Sequence, residues 1–133
     1  MLVCYLGIGS NLGDRRKNIK LALQKIKQLK GTKIIKLSRI IETKAVGGPP
    51  QGKFLNAALK IKTNLSPSIL LRKLKTIEKE LGRKKSSVRY GPRPIDLDIL
   101  FYGDKIIDRK DLKIPHPKAF AREFVRKPLL EVI

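Results

Sequence analysis

Arg89, Arg93, Asp96 and Asp98 fall within one stretch, Arg89-Tyr90-Gly91-Pro92-Arg93-Pro94-Ile95-Asp96-Leu97-Asp98-Ile99-Leu100-Phe101-Tyr102. From Ile95 onward, β-branched, large apolar and aromatic residues run without a breaker to Gly103-Asp104, the composition of a strand that ends in a tight turn. Residues two apart on a strand share a face, so Asp96 and Asp98 project together, roughly 6.5 Å apart along the chain. Two carboxylates at that spacing repel each other and are costly to bury unpaired, and a cation between them removes both penalties. Hard carboxylate oxygens favour Mg²⁺ over zinc, and Mg²⁺ commonly shares its octahedron with phosphate oxygens. Arg89 and Arg93 bring guanidinium forks, which match phosphate oxygens, to the acid-bearing end of the strand. An Asp-x-Asp pair is also a common solvated polar face, and the pair by itself leaves both readings open. The apolar Ile95, Leu97, Ile99 and Leu100 and the flanking arginines bring metal plus phosphate level with the solvated face, and both readings stay open at this point.

The rest of the chain must hold that stretch. Residues 2–8, apolar on both faces except for Tyr5 and Gly7, predict a central first strand. The turn cluster Gly9-Ser10-Asn11-Leu12-Gly13 follows and fits neither a Walker loop nor a dinucleotide fingerprint, so it reads as a tight connection. Asp14 suits the N-cap of a helix running to Lys30, with Ile19, Ala22, Leu23, Ile26 and Leu29 as the apolar stripe and Gly31 as the stop. Residues 32–43 predict a second strand, and residues 44–52, with Gly47-Gly48-Pro49-Pro50, a long loop of the kind that binds something. Residues 53–62 predict a third strand with Phe54 and Asn56 on one face. A ring beside an amide with both donor and acceptor suits a flat heterocycle, and an Asn that bonds nearby backbone is the competing reading.

Ser66 caps a second helix with Pro67 in its first turn; Leu70, Leu71, Leu74, Ile77 and Leu81 form the stripe, Glu78 lies in the last turn and Gly82 ends it. The segment Arg83-Lys84-Lys85-Ser86-Ser87-Val88-Arg89-Tyr90 is the type of basic run that is often a solvated loop, yet directly before the acids it reads as a lid for phosphates. After Gly103-Asp104, residues 105–107 predict a short hairpin partner for the acid-bearing strand. His116, the single histidine, sits in extended backbone between Pro115 and Pro117, and residues 118–133 read as irregular and partly helical. The order β-α-β-β-α-β is the split βαβ, an α+β ferredoxin-like antiparallel sheet with helices on one face.

A chain of 133 residues is one domain with a real core. No apolar run approaches the ~20 residues of a membrane span. The apolar start lacks a basic leader and a cleavage site, so no signal peptide is expected. Cys4, the single cysteine, excludes an internal disulfide and suits a reducing compartment. With 31 Lys and Arg against 11 Asp and Glu, the net charge of +20 attracts polyanions without choosing among them.

In this order, Gly9-Ser10-Asn11-Leu12-Gly13-Asp14, Phe54-Leu55-Asn56-Ala57, residues 89–100, and Pro115-His116-Pro117 with Arg122 and Phe124 resemble the 6-hydroxymethyl-7,8-dihydropterin pyrophosphokinase family of folate biosynthesis. The resemblance covers nearly the whole chain. It implies transfer of diphosphate from ATP to the pterin hydroxymethyl group with release of AMP. It further implies two Mg²⁺ ions on Asp96 and Asp98, with Arg83 and Arg93 assisting transfer by neutralising moving charge. ATP contacts are implied at Glu78, Arg83, Lys85, Arg89, Tyr90, Arg93, Ile99, His116 and Arg122. The pterin is expected between Phe54 and Phe124, its edge read by Asn56 and by the backbone of Thr43, Lys44, Ala45 and Val46. Loops 43–52 and 83–90 would close over ATP and exclude water. A cytoplasmic monomer without membrane or specific nucleic-acid partners is expected.

No residue stands out as a general base, Asp96 being the nearest candidate. The chain departs from common family patterns at Lys85 (often arginine), Tyr90 (tryptophan in some members), Lys44 and Ala45 (frequently prolines) and Asp111, whose sign is wrong for a nucleotide contact. Lys113 occupies another position that contributes to nucleotide binding in some members, and the chain ends earlier than many of them.

Two other classes compete. A single-strand nucleic-acid reader on this fold needs an aromatic-glycine strand motif that is absent, and has no use for Asp96 and Asp98. A metal-dependent nuclease or phosphatase would share the acids but not need Phe54, Asn56 and Phe124.

Overall fold

The computed structural model describes residues 1–83 and 91–133. Strand β1 (Leu2–Ser10) leads to helix α1 (Arg15–Lys27), then to β2 (Thr32–Leu37), β3 (Ile41–Thr43), β4 (Phe54–Thr63), helix α2 (Pro67–Glu80) and β5 (Asp96–Tyr102). A short pair, β6 (Ile107–Asp108) and β7 (Lys113–Ile114), and helix α3 (Glu123–Val132) complete the chain. The main sheet has the order β2-β4-β1-β5, with β3 also paired to β4, and the pairings are antiparallel. This is the expected ferredoxin-like order, each helix crossing over between strands that are not neighbours.

Alternation along the central strands divides two cores. Cys4, Leu6 and Ile8 of β1, Leu55, Ala57, Leu59 and Ile61 of β4, and Leu97 and Ile99 of β5 pack with Ile19, Ala22 and Ile26 of α1 and Leu70, Leu74 and Ile77 of α2. The opposite face buries Ala58 and Leu100 with Ala119, Leu129 and Val132, so α3 forms a third layer. The expectation of helices on one face thus holds for α1 and α2 and is corrected for α3. The irregular composition of residues 118–133, with Pro128 inside the helix, hid an amphipathic turn pattern.

Local chemistry explains the boundaries. Asp14 accepts from the Lys17 amide and Ser66 from the Ile69 amide, the expected N-caps, and Pro67 opens α2. Helix α1 stops three residues before Lys30, and Gly31 turns at φ 76°. The expected single strand 32–43 is two strands. Ser38 exchanges backbone and hydroxyl bonds with Ala58, while Glu131 of α3 captures the Arg39 amide at 2.9 Å, which bends the chain between β2 and β3. Gly9 and Ser10, expected in the turn, pair within β1 instead. The hairpin partner expected for β5 pairs with β7, so β6 and β7 form a separate ribbon. Between Leu6 and Tyr5 the β1–β5 ladder shifts register, and Leu100 is the additional residue.

Cys4 is completely buried, and burial pushes its thiol up to about 11. It is expected to stay protonated at neutral pH and to resist iodoacetamide in the native state, reacting fully only in denaturant. Rapid native labelling would contradict this packing. No described helix is long and apolar enough to cross a membrane.

Candidate active site

The site forms where the open face of the sheet, beyond the reach of α3, meets the edge strand β5. Across the sheet, Asn56 of β4, Gly9 of β1 and Asp96 of β5 lie in one row, and Ala58, Gly7 and Asp98 in the next. Glycines in the middle strand leave the floor between amide and acids as bare backbone. At position 9 a Cβ would stand 2.9 Å from Asn56 Oδ1, so any larger residue would displace that amide. The Asn56 amide nitrogen donates to Thr43 Oγ1 at 2.7 Å, which orients the amide and leaves its oxygen as the acceptor for a ligand.

A cleft of about 480 Å³ opens above this floor and passes around the β5 edge to α2. One end is lined by Thr43, Lys44, Val46, Phe54, Asn56 and Phe124, and the other by Leu71, Lys75, Glu78, Leu97 and Ile99, with Arg83, Arg93, Asp96 and Asp98 also on its wall. Ring-on-ring contacts among the described residues are Tyr5–Phe101 and Phe101–Phe120, so Phe54 and Phe124 do not stack on each other. The Arg122 guanidinium lies 5.6 Å from the Phe124 ring centroid.

Charges in the middle of the cleft are tightly arranged. Arg83 Nη1 donates to Glu78 Oε2 at 2.6 Å and to Asp96 Oδ1 at 3.0 Å, and Arg93 Nη1 lies 3.5 Å from Asp96 Oδ2. Glu78 also accepts the Leu97 amide at 2.8 Å, so this buried carboxylate covers the outer edge of β5 where the acids begin. Burial raises the Glu78 pKa, against the lowering effects of that amide and Arg83. Burial, then the charges of Asp96 and Glu78, push the Asp98 carboxyl up to about 8. Arg93 Nε is a buried donor with no partner among the described atoms. His116 Nδ1 accepts the Lys118 amide at 3.1 Å, which leaves Nε2 as the protonated nitrogen. Burial lowers the His116 pKa, so the ring is a neutral donor.

No cluster of three metal-ligating side chains occurs among the described residues. Asp96 and Asp98 still fit Mg²⁺. They are hard oxygen donors on one face, and Asp98, whose charge is disfavoured first by burial and then by Asp96 and Glu78, is a carboxylate that a divalent cation would stabilise. A two-carboxylate donor set matches an ion that arrives with phosphate and water ligands.

Of the residues singled out from sequence, Thr43, Lys44, Val46, Phe54, Asn56, Glu78, Arg83, Arg93, Asp96, Asp98, Ile99, His116, Arg122 and Phe124 line this one cleft. Ala45 does not, although both neighbours do, and Lys85, Arg89 and Tyr90 lie outside the described residues. The sequence reading missed Lys75, Lys110 and Lys118 as lining residues. Lys75 was legible in principle, three residues before Glu78 and therefore on the same helical face.

A ferredoxin-like sheet whose open face carries an aromatic–amide slot beside acids and arginines defines a phosphate-handling α+β domain. The profile of the family described as 7,8-dihydro-6-hydroxymethylpterin-pyrophosphokinase (HPPK) matches residues 5–133, and the chain belongs to that pyrophosphokinase family. It is 48% identical over 132 residues to the 2-amino-4-hydroxy-6-hydroxymethyldihydropteridine pyrophosphokinase of Aquifex aeolicus, covering 99% of this chain and 81% of that protein. It is 45% identical to the folate synthesis bifunctional protein of Arabidopsis thaliana, covering 96% of this chain but 26% of that protein. A solved structure described as HPPK-DHPS in complex with substrates superposes with a TM-score of 0.66 at 15% identity, over 93% of this chain and 38% of that one, a likeness of fold.

Proposed function

We propose that this protein transfers the terminal diphosphate of ATP to 6-hydroxymethyl-7,8-dihydropterin, releasing AMP, with Mg²⁺ at Asp96 and Asp98, as a soluble monomer of the cytoplasm. The observation that carries the reading is that a single cleft holds both the acid–arginine cluster and the slot of Phe54, Asn56 and Phe124. In the reaction the hydroxymethyl oxygen bonds to the β-phosphorus while the bond from that phosphorus to the oxygen bridging the α- and β-phosphates breaks, AMP leaves with that oxygen, and the hydroxyl proton passes to solvent. When bound, two Mg²⁺ ions would screen the polyphosphate and polarise its oxygens. Arg83 and Arg93 hold phosphate oxygens and take up charge that moves onto AMP. Phe54 and Phe124 clasp the pterin while the Asn56 oxygen accepts from its amino edge. Glu78, Ile99, His116 and Arg122 frame the nucleotide, joined by Lys85, Arg89 and Tyr90. Asp96 gains little support as a base, since guanidinium groups already approach both of its oxygens.

Incubation with ATP, Mg²⁺ and the hydroxymethyldihydropterin, following AMP, tests the reading. AMP that appears only with pterin supports it. AMP without pterin points to a hydrolase, and no AMP removes the proposed activity.

A further inference from the structure

The cluster Gly9-Ser10-Asn11-Leu12-Gly13 is more than a tight connection, because Asn11 holds two distant segments at once. Its side chain is buried, with the residue 7% exposed. Nδ2 donates to Gln51 Oε1 at 2.7 Å and to the Gly52 carbonyl at 3.1 Å. Oδ1 accepts the Arg93 amide at 2.7 Å, and the Asn11 amide donates to the Arg93 carbonyl at 3.0 Å. Pro92 and Pro94 have no N–H, so the Arg93 amide is the one backbone donor between Gly91 and Ile95, and Asn11 takes it. On the other side, Gly52 packs closely enough that a Cβ there would lie 3.7 Å from the Asn11 carbonyl.

We propose that Asn11 is a positioning residue with two separable functions: its oxygen fixes the backbone that aims Arg93 at phosphate, and its nitrogen holds residues 44–52 over the pterin slot. The inference rests on the proposed pterin and ATP reading of the cleft. Each function has its own chemical signature. Aspartate at position 11 keeps an acceptor for the Arg93 amide but offers no donor to the Gly52 carbonyl, whereas alanine removes both. Gln51→Ala loosens the pterin side and leaves the Arg93 contact intact.

The test compares Asn11→Ala, Asn11→Asp and Gln51→Ala for kcat, for KM of the pterin, and for hydrogen exchange at the Arg93 amide. Asn11→Ala is expected to lower kcat about 10²-fold, the loss that a displacement of about 1 Å causes, and to speed Arg93 exchange at least tenfold. Asn11→Asp and Gln51→Ala are expected to raise the pterin KM about tenfold, with kcat and Arg93 exchange within about threefold of wild type. Equal kcat losses in Asn11→Ala and Asn11→Asp would overturn the division of labour. A lower urea midpoint for Asn11→Ala with unchanged kcat and KM would reduce Asn11 to a structural staple. Should wild type make no pterin-dependent AMP, the functional reading fails, and exchange at the Arg93 amide still decides whether Asn11 holds that residue.

Discussion

Asp98→Asn is expected to reduce turnover on the order of 10³-fold, the scale of losing a preorganised electrostatic group, while the folded protein becomes more stable without metal. Both effects have one cause. Asp98 is half-buried beside Asp96 and Glu78, and its carboxyl is pushed up to about 8. A free carboxylate titrates near 4, so between about pH 4 and 8 the native protein binds a proton that the unfolded chain has released. The group's contribution to stability is complete below about pH 4 and is lost as pH rises to about 8, at no more than about 1.4 kcal/mol per pH unit. Urea unfolding in EDTA across that range should show the decline in wild type and a flatter profile in Asp98→Asn. Near-normal turnover in the variant would remove the metal assignment, and an identical pH slope would show that Asp98 does not carry the strain.

Phe124→Ala is expected to weaken pterin binding about 10–100-fold, matching the roughly 1–3 kcal/mol that a stacked ring contributes. Phe124 is the second residue of α3, partly exposed on the cleft wall and outside the buried set Pro128, Leu129 and Val132 that anchors the helix. Truncation therefore removes ligand contact with little effect on folding. Isothermal titration with pterin and with a non-hydrolysable ATP analogue reads the contrast, since nucleotide affinity should stay within about threefold. Equal losses for both ligands would argue against the aromatic slot.

Strand β5 shows why much of this was legible in the sequence. Asp-x-Asp on a run of apolar residues has one parity that buries Leu97 and Ile99, and the same parity sets both acids on the other face. Ser66-Pro67 and Asp14 were readable because caps are local chemistry. What escaped was non-local. The break at Ser38 depends on Ala58 and Glu131, and the role of Asn11 on residues far along the chain at 51, 52 and 93. Helix α3 was obscured because its buried stripe is short and includes a proline. Neighbouring residues give no warning of such partners, whose effect exists only once the sheet has assembled.

The additional residue at Leu100 has a further meaning. Strand β5 is an edge of the sheet, and at the residue that has no partner on β1 the Leu100 oxygen accepts the His116 amide at 2.9 Å. The same residue buries its side chain against Ala119, Leu129 and Val132, so one position joins the α3-side core to the only imidazole in the chain. The unpaired residue of the ladder is thus also the mooring that keeps a neutral proton donor on the wall of the cleft.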